Sequence, residues 1–207
     1  MSQSVAARKT KREVITEFRT EEILQAARVV FAKNGFYETT VDEIAHAAGI
    51  SKGTLYLYYK SKMDIYWAAL RFGVTEMQEK VREELKSAPS VKDKIRTFIQ
   101  VKMEYFQKNR DFFKIYYSEF GNSFCHPIHM QKEFRDLYRR QVDFLESILL
   151  EGIRTKAIRD LSVEATACAI ADLTRSVITH HLMNWSKRTI EEDSKLTFDL
   201  IWKGISK

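Results

Sequence analysis

The chain has 207 residues, of which 44% are hydrophobic, 30% charged and 12% aromatic. It contains 7 Gly and 2 Pro, a composition that excludes collagen-like and low-complexity chains and disfavours an all-β protein, which needs frequent turns. Lys and Arg outnumber Asp and Glu by 34 to 28, and the resulting net charge of +6 is compatible with a nucleic acid or an anionic ligand as partner.

The cysteines and the N-terminal segment indicate the cellular compartment in which the protein is expected. Two cysteines, Cys125 and Cys168, are too few for a disulfide framework and favour a reducing environment. The N-terminal residues are basic without an apolar segment, so they lack the pattern of a secretory signal. We find no apolar stretch of the roughly 20 residues that a membrane-spanning helix needs. We therefore expect a cytoplasmic protein without a membrane partner.

The N-terminal segment divides into a basic arm and a first helix. Residues 1–19 contain five basic and two acidic residues, and are expected to form either a solvated terminus or an arm that reaches DNA phosphates or the minor groove. The first helix is predicted to begin at Thr20, an N-cap residue followed by two glutamates. It is predicted to end at Asn34 and Gly35, where glycine can adopt a positive φ.

Two short helices joined by a tight turn are predicted next. The capping-box pair Thr40 and Glu43 opens the second helix, which ends at Gly49, and Ser51 caps a third helix through Tyr59. One residue separates Gly49 from the cap of the third helix. This spacing is typical of a helix-turn-helix.

A long fourth helix is predicted from Ser61 to the residues just before Pro89. At 1.5 Å per residue it would be about 36 Å long, which is more than a small domain needs. Gly73 lies in its middle, where glycine costs roughly 1 kcal/mol relative to alanine. Either a close helix contact or a bend would explain this glycine.

The rest of the chain keeps a helical pattern. Further helices are predicted from Ser90 past Phe106, from Asn109 to Phe120, from Pro127 to about Lys156, from about Val163 to Trp185, and from Thr189 to about Ile205. No segment alternates with the period of two that a strand requires. The sequence therefore predicts an all-α chain of about nine helices, with a three-helix domain over 20–66 joined by a long helix to a helical region within 67–207.

The third predicted helix has a face suited to DNA. Leu55 and Tyr59 lie four residues apart and are predicted to face inward, which leaves on the other face Lys52, Thr54, Tyr56 and Tyr58. From Ser51 to Lys62 there are three cations and no acid, whereas a merely solvated helix usually mixes both signs. Hydroxyls bind phosphate oxygens and lysine reaches guanine acceptors, so the pattern favours DNA recognition over a merely solvated surface.

This segment resembles the tetracycline-repressor (TetR) family of bacterial transcription regulators. The resemblance covers about residues 20–66 and is carried by Phe31, Gly35-Phe36, Thr39-Thr40-Val41, Ile44-Ala45, Ala48-Gly49-Ile50-Ser51-Lys52-Gly53-Thr54-Leu55-Tyr56, Tyr59 and Ser61-Lys62. It implies a homodimer that binds a palindromic operator, most often as a repressor, and that associates with the nucleoid when bound. It implies DNA contacts by Thr39, Thr40, Lys52, Gly53, Thr54, Tyr56, Tyr58 and Lys62. Ser51 and Leu57 of the same segment are also predicted to contact DNA.

A dimer is also expected on physical grounds, because one short recognition helix makes few base contacts. Two-fold symmetry doubles these contacts at half-sites about 34–36 Å apart. Two helices near the C-terminus are the candidate interface, with small residues on one and apolar residues on the other. These residues, which could instead bury against their own chain, are Ala165, Ala169, Ser176, Leu196, Leu200, Ile201 and Ile205.

The segment Met103–Phe144 contains eleven aromatic rings, most of which helical spacing assigns to the core. So many rings can also leave a cavity, and the TetR resemblance implies an effector pocket among the C-terminal helices. We expect a small hydrophobic effector, with an acyl chain or an aromatic ring, whose anionic group would meet an arginine. The candidate residues are Phe106, Phe113, Tyr117, Phe134, Tyr138 and Arg175.

Other functions are weighed against this one. Common enzyme motifs such as a nucleophile elbow or a phosphate-binding loop are not found, so an enzyme is not expected. The run Cys125-His126-Pro127-Ile128-His129 holds three possible metal ligands, fewer than the four of a structural zinc site, and neither a metal nor a cofactor is expected. A ligand-independent DNA-binding protein and a helical adaptor remain the alternatives, and an adaptor would bind with little salt dependence.

Overall fold

The computed structural model describes residues 10–122 and 128–207, and within these ranges the chain forms nine α-helices. The all-α prediction is confirmed, and one isolated β-bridge joins Ile158 and Ser206. The chain divides into two compact units, Met1–Phe72 and Gly73–Lys207. Within the described ranges, no helix is both long and apolar enough to cross a bilayer.

The first unit is built from α1 (Lys11–Glu38), α2 (Val41–Ala47), α3 (Lys52–Tyr58) and the beginning of α4 (Lys62–Leu85). Its core combines apolar residues of all four helices: Ile23, Ala27, Phe31, Ile44, Leu55, Ile65, Tyr66 and Leu70. Phe31 and Tyr66 meet edge to face with their ring centroids 5.0 Å apart. The helix-turn-helix pair α2 and α3 is thus anchored through Ile44 and Leu55, which are fully buried.

Helix α1 begins earlier than the sequence predicted. It starts at Lys11, not at Thr20, so part of the expected basic arm is helical. Thr20 does not cap the helix, since its hydroxyl donates to the carbonyl of Thr16 at 2.8 Å inside it. Arg19 and Glu22 form an ion pair of 2.8 Å one turn apart, which supports the extension. Gly35 breaks α1 with φ 77°, at the place where the stop was predicted.

The second unit holds the remainder of α4 and the helices α5 (Val91–Lys108), α6 (Arg110–Asn122), α7 (Ile128–Arg154), α8 (Val163–Leu182) and α9 (Ile190–Ile205). Helices α5 and α9 pack together, as do α7 and α8. The predicted caps are present: Ser90 accepts from the amide of Asp93 at 3.1 Å, and Thr189 forms a capping box with Glu192. Pro127, predicted at the start of α7, lies outside the described residues.

Most of the aromatic-rich segment forms the core of the second unit. Phe112 and Phe113 lie with their centroids 4.9 Å apart, and Phe106 meets Phe113 edge to face at 5.5 Å. Tyr105 packs on both Phe112 and Phe113. These rings therefore fill the interior by the edge-to-face contacts that aromatic pairs prefer.

Gly73 is explained by close packing in the second unit. A Cβ built on Gly73 would lie 2.3 Å from Cδ2 of Phe112, far inside van der Waals contact. The ring of Phe112 is itself buried and held by its aromatic neighbours. Of the two explanations that the sequence left open, the structure supports the close contact.

We expect Gly73→Ala to destabilise the protein by about 1–3 kcal/mol, because the added methyl group overpacks the site and outweighs the gain in helix propensity. The urea midpoint measures this change. Gly204→Ala in α9 is the matched control, since nothing lies within 4 Å of its added Cβ. A Gly73→Ala midpoint at or above that of the wild type would show that the contact relaxes freely.

Candidate nucleic-acid interface and ligand cavity

The candidate DNA-binding surface is built on two capped helices, α2 and α3, which are joined by a tight turn. Thr40 caps α2, its amide donating to Glu43 Oε2 at 2.7 Å while its hydroxyl accepts from the Glu43 amide at 3.2 Å. The hydrogen bonds that the Thr40 amide and the Thr40 hydroxyl donate to the Glu43 carboxylate lower the pKa of this group. Gly49 turns the chain with φ 66°, and Ser51 then caps α3 by accepting from the Thr54 amide at 3.0 Å.

Helix α3 has one buried and one exposed face. Leu55 is fully buried, and Tyr59 is half-buried just after the helix, where burial raises the pKa of its phenol to about 12. Leu57 is 85% exposed and Tyr56 is also exposed. The predicted DNA-contact residues Ser51, Lys52 and Gly53 are exposed beside them, while Thr54 and Tyr58 are partly exposed. An apolar side chain held in solvent next to a cation is typical of a surface that meets a partner.

The lysine of this surface has an acidic neighbour that the sequence did not reveal. Lys52 Nζ lies 2.7 Å from Oδ2 of Asp42, which belongs to the first turn of α2. This hydrogen bond raises the pKa of Lys52. The segment from Ser51 to Lys62 contains no acid, but the packing of α2 on α3 supplies one. Lys52 can leave Asp42 for another anion at little cost, because both side chains are largely exposed.

Thr39 occupies a different position from the one predicted. Its side chain is 2% exposed, and its hydroxyl donates to the carbonyl of Gly35 at 2.7 Å. The expected presentation of the Thr39 hydroxyl to a phosphate is therefore wrong for this structure, in which the hydroxyl secures the end of α1. Thr40 is exposed, as expected.

Lys62 is also held within the protein. Its ammonium donates to the carbonyls of Tyr37 at 3.0 Å and Thr39 at 2.8 Å, and lies 4.7 Å from the ring centroid of Phe36. Lys62, which is predicted to anchor a phosphate, thus also caps the carbonyl end of α1, where a cation is favourable. Because the carbonyls are 23 and 25 residues away in sequence, no local pattern could have shown this role.

Four of the residues predicted to bind the effector fall into two groups. Phe106 and Phe113 are fully buried in the aromatic core. Tyr138 and Arg175 meet at Asp172, which accepts from the Tyr138 hydroxyl at 3.0 Å and pairs with Arg175 Nη2 at 3.2 Å. Burial raises the pKa of Tyr138.

Tyr117 differs from these residues. Its hydroxyl is buried and has no hydrogen-bond partner in the described part of the chain. Burial raises the pKa of its phenol. The side chain of Phe134 lies outside what the structure describes.

A cavity of about 310 Å³ lies in the second unit between α4, α5 and α7. Its wall includes Met77, Gln78, Phe98, Lys102, Gln141 and Phe144. Phe106, Phe113, Tyr117, Tyr138 and Arg175 are not among its lining residues. Sequence reasoning missed this cavity because its polar residues come from three separate helices whose packing no local pattern reveals.

The residues predicted for a dimer interface lie on α8 and α9. Leu200 is 58% exposed, and Ala165, Ala169, Ser176 and Leu196 are exposed as well. Ile201 and Ile205 are buried, so they belong mainly to the core of their own chain. Both also line a shallow groove, together with Ala165, Ala169 and Leu200. The exposed members form an unpaired apolar surface.

The structure gives no metal site in the residues it describes, where no three metal-ligating side chains cluster. His181 is engaged instead with Asp193, whose Oδ2 lies 2.9 Å from its Nε2. Asp193 also accepts from Ser186 at 2.7 Å. Burial raises the pKa of the Asp193 carboxyl, but the hydrogen bonds from Arg188, Ser186 and His181 together lower it below its usual value. Cys125 and His126 lie outside the described residues, as does the side chain of His129.

Comparison with known proteins identifies the family. Residues 23–69 match the model of bacterial regulatory proteins of the tetR family. The transcriptional repressor KstR2 of Mycolicibacterium smegmatis is 30% identical over 168 residues, which are 75% of this chain and 76% of that protein. The chain belongs to the TetR family. It is therefore a DNA-binding transcription regulator and not an enzyme.

Two further similarities extend over most of the chain of this TetR regulator. The fatty acid metabolism regulator of Bacillus subtilis is 25% identical over 185 residues, which cover 89% of this chain and 94% of the relative. The crystal structure of FadR from Bacillus subtilis in complex with stearoyl-CoA superposes with a TM-score of 0.81 at 24% identity, covering 89% of this chain and 98% of that one. The fold is thus shared beyond the first unit.

Proposed function

We propose that this TetR regulator binds a palindromic operator as a homodimer and that a ligand with an apolar chain releases it, so that it acts as a repressor. The observation that carries the DNA-binding part is the exposed face of α3, set on a rigid pair of capped helices. In this proposal the first unit binds DNA, and the second unit binds the effector and the partner subunit. We place the protein in the cytoplasm, at the nucleoid when it is bound to DNA.

The DNA contacts that we propose follow from side-chain chemistry. Thr54 and Tyr56 offer hydroxyls, Leu57 offers an apolar contact to a thymine methyl group, and Gly53 lets the backbone approach the groove. Lys52 exchanges Asp42 for a guanine or a phosphate. Thr40 and Ser51 lie at the ends of the surface and Tyr58 along its edge, where backbone phosphates would run.

The proposal of an apolar effector is supported by the relatives and by the second unit. One relative regulates fatty acid metabolism, and FadR from Bacillus subtilis forms a complex with stearoyl-CoA. The second unit contains a cavity of about 310 Å³, at the lower end of the range of small-molecule pockets. A ligand-independent regulator remains the alternative, and the helical adaptor is disfavoured by family membership.

Control would work by a shift between conformations. A ligand weakens DNA binding only as far as it prefers the conformation that does not fit the operator. Typical couplings are about 1–3 kcal/mol, or 5–150-fold in affinity. Helix α4 runs through the division between the units and is the segment of chain that joins them.

Selection of bound duplexes from random DNA tests this function. We expect an inverted-repeat consensus whose binding weakens steeply with salt, since each phosphate contact adds about 0.9 to the slope of log K against log salt. Stearoyl-CoA or decanoyl-CoA should then weaken binding to the selected operator by 5–150-fold, a typical coupling. Selection of no consensus would contradict operator binding, and DNA affinity unchanged by any apolar ligand would support the ligand-independent alternative.

A further inference from the structure

The wall of the cavity between α4, α5 and α7 contains a buried cation. Lys102 lies on α5 and is 2% exposed. Among the described residues its ammonium forms no hydrogen bond or ion pair, and it lies 5.8 Å from the ring centroid of Phe98. A buried ammonium without an anion is costly, so most proteins either pair it or deprotonate it.

The charges around Lys102 do not compensate it. Arg175 opposes its positive charge, and Asp172 favours it. Asp172 is already shared, because it pairs with Arg175 and accepts from Tyr138. Burial lowers the pKa of Lys102 most strongly and Arg175 lowers it further, while Asp172 raises it; the result is a pKa of about 7. In the part of the chain that the structure describes, Lys102 therefore has no carboxylate paired with it.

A second polar group faces the same cavity without a partner. Nε2 of Gln78 on α4 is buried and has no hydrogen-bond partner in the described part of the chain. Gln141 of α7 is buried in the same wall. A buried donor left unpaired costs about 1–3 kcal/mol, so a ligand that accepts from Gln78 would recover this loss.

The remainder of the cavity suits a hydrocarbon chain. Met77, Val81, Phe98 and Phe144 supply apolar surface. The charged residues in its wall besides Lys102 are Arg82, Arg140 and Asp143. A neighbouring cavity of about 370 Å³ between α5 and α9 has a different character, because cations and acids of both helices line it together.

We propose that the cavity between α4, α5 and α7 binds a carboxylic acid with an apolar chain, its carboxylate accepting hydrogen bonds from Lys102 Nζ and Gln78 Nε2. This inference rests on the proposed control by an apolar ligand and specifies its head group. A carboxylate supplies a charged acceptor for Lys102, whereas a thioester or an alcohol is neutral. The phosphates of a coenzyme A ester are the other source of negative charge.

Binding of decanoate, decanol and decanoyl-CoA by calorimetry at pH 6.5 tests the proposal. Wild type should bind decanoate at least about tenfold more tightly than decanol. Lys102→Met keeps the size of the side chain and should remove this preference, with decanol affinity unchanged within about twofold. Gln78→Leu keeps the cation and should weaken decanoate by at least about fivefold. Thermal melting of each variant checks that it is folded.

Lys108→Met is the matched control, because Lys108 is an exposed lysine on the same helix. It should bind all three probes as the wild type does. Wild type that does not bind decanoate, or Lys102→Met that binds it equally well, overturns the proposal. If Lys102→Met weakens the binding of decanoyl-CoA as much as that of decanoate, Lys102 recognises a group other than a free carboxylate. That result would also overturn the proposal. Release of operator by decanol or decanoyl-CoA alone would leave the proposed function standing.

Discussion

Leu200→Glu is expected to convert the protein from a dimer to monomers and to weaken operator binding by roughly 100-fold, since one subunit contacts only one half-site. Leu200 is 58% exposed on α9, beside the exposed Leu196 and across from the small residues of α8. Formation of the dimer would bury a carboxylate at this position with no cation beside it, which costs several kcal/mol. Analytical ultracentrifugation and titration of the selected operator measure the two effects.

Leu150→Glu provides the control for this experiment. Leu150 lies on α7 of the same unit and is 57% exposed, so its substitution introduces the same charge at the same exposure away from the proposed interface. It should remain dimeric and bind DNA normally. Dimers of Leu200→Glu at micromolar concentration, or monomers of Leu150→Glu, would place the interface elsewhere.

The double variant Thr54→Ala and Tyr56→Ala should lose operator affinity by roughly 10–1,000-fold with little change in stability. A hydrogen bond to a base is worth about 0.5–1.5 kcal/mol and one to a charged phosphate about 1.5–3 kcal/mol, and the two side chains lie on the exposed side of α3. The cap of α3 survives, because it is made by the Ser51 side chain and the Thr54 amide. Binding titrations on operator and on random duplex separate sequence recognition from phosphate contact.

Gln25→Ala with Val29→Ala is the comparison for the double variant. Both residues are exposed on α1 in the same unit, on a helix that this proposal does not place in the groove. Their replacement should leave the operator affinity within about twofold of wild type. If the α3 variant binds the operator as tightly as this control, the recognition surface lies elsewhere in the unit.

Local signals in the sequence predicted the helices well. The caps at Thr40, Ser51, Ser90 and Thr189 each bond a residue three positions on, so the pattern and the bond lie in one short segment. Gly35 ended the regular part of α1 for a similarly local reason. The start of α1 was missed because Thr20 resembles a cap but lies within a longer run of helix-forming residues.

Long-range contacts could not be predicted in the same way. The ion pair of Lys52 and Asp42 depends on how α2 packs on α3, and the contact of Gly73 with Phe112 depends on the packing of α4 on α6. Lys102 shows the same limit, since a lysine within a helical stripe is usually solvated and its burial follows only from its neighbours. The parts of the functional surface formed by one short segment were predictable from the sequence, whereas the contacts between different helices were not.

The bonds of Lys62 affect how mutagenesis of this protein is interpreted. Its ammonium joins the end of α1 to the start of α4 through two carbonyls. Removing it would leave both acceptors without their cation and loosen the joint that carries the recognition helix. A screen that scores only repression would then not distinguish a lost operator contact of Lys62 from a defect in the scaffold. Parallel thermal melting of every repression-deficient variant separates the two origins.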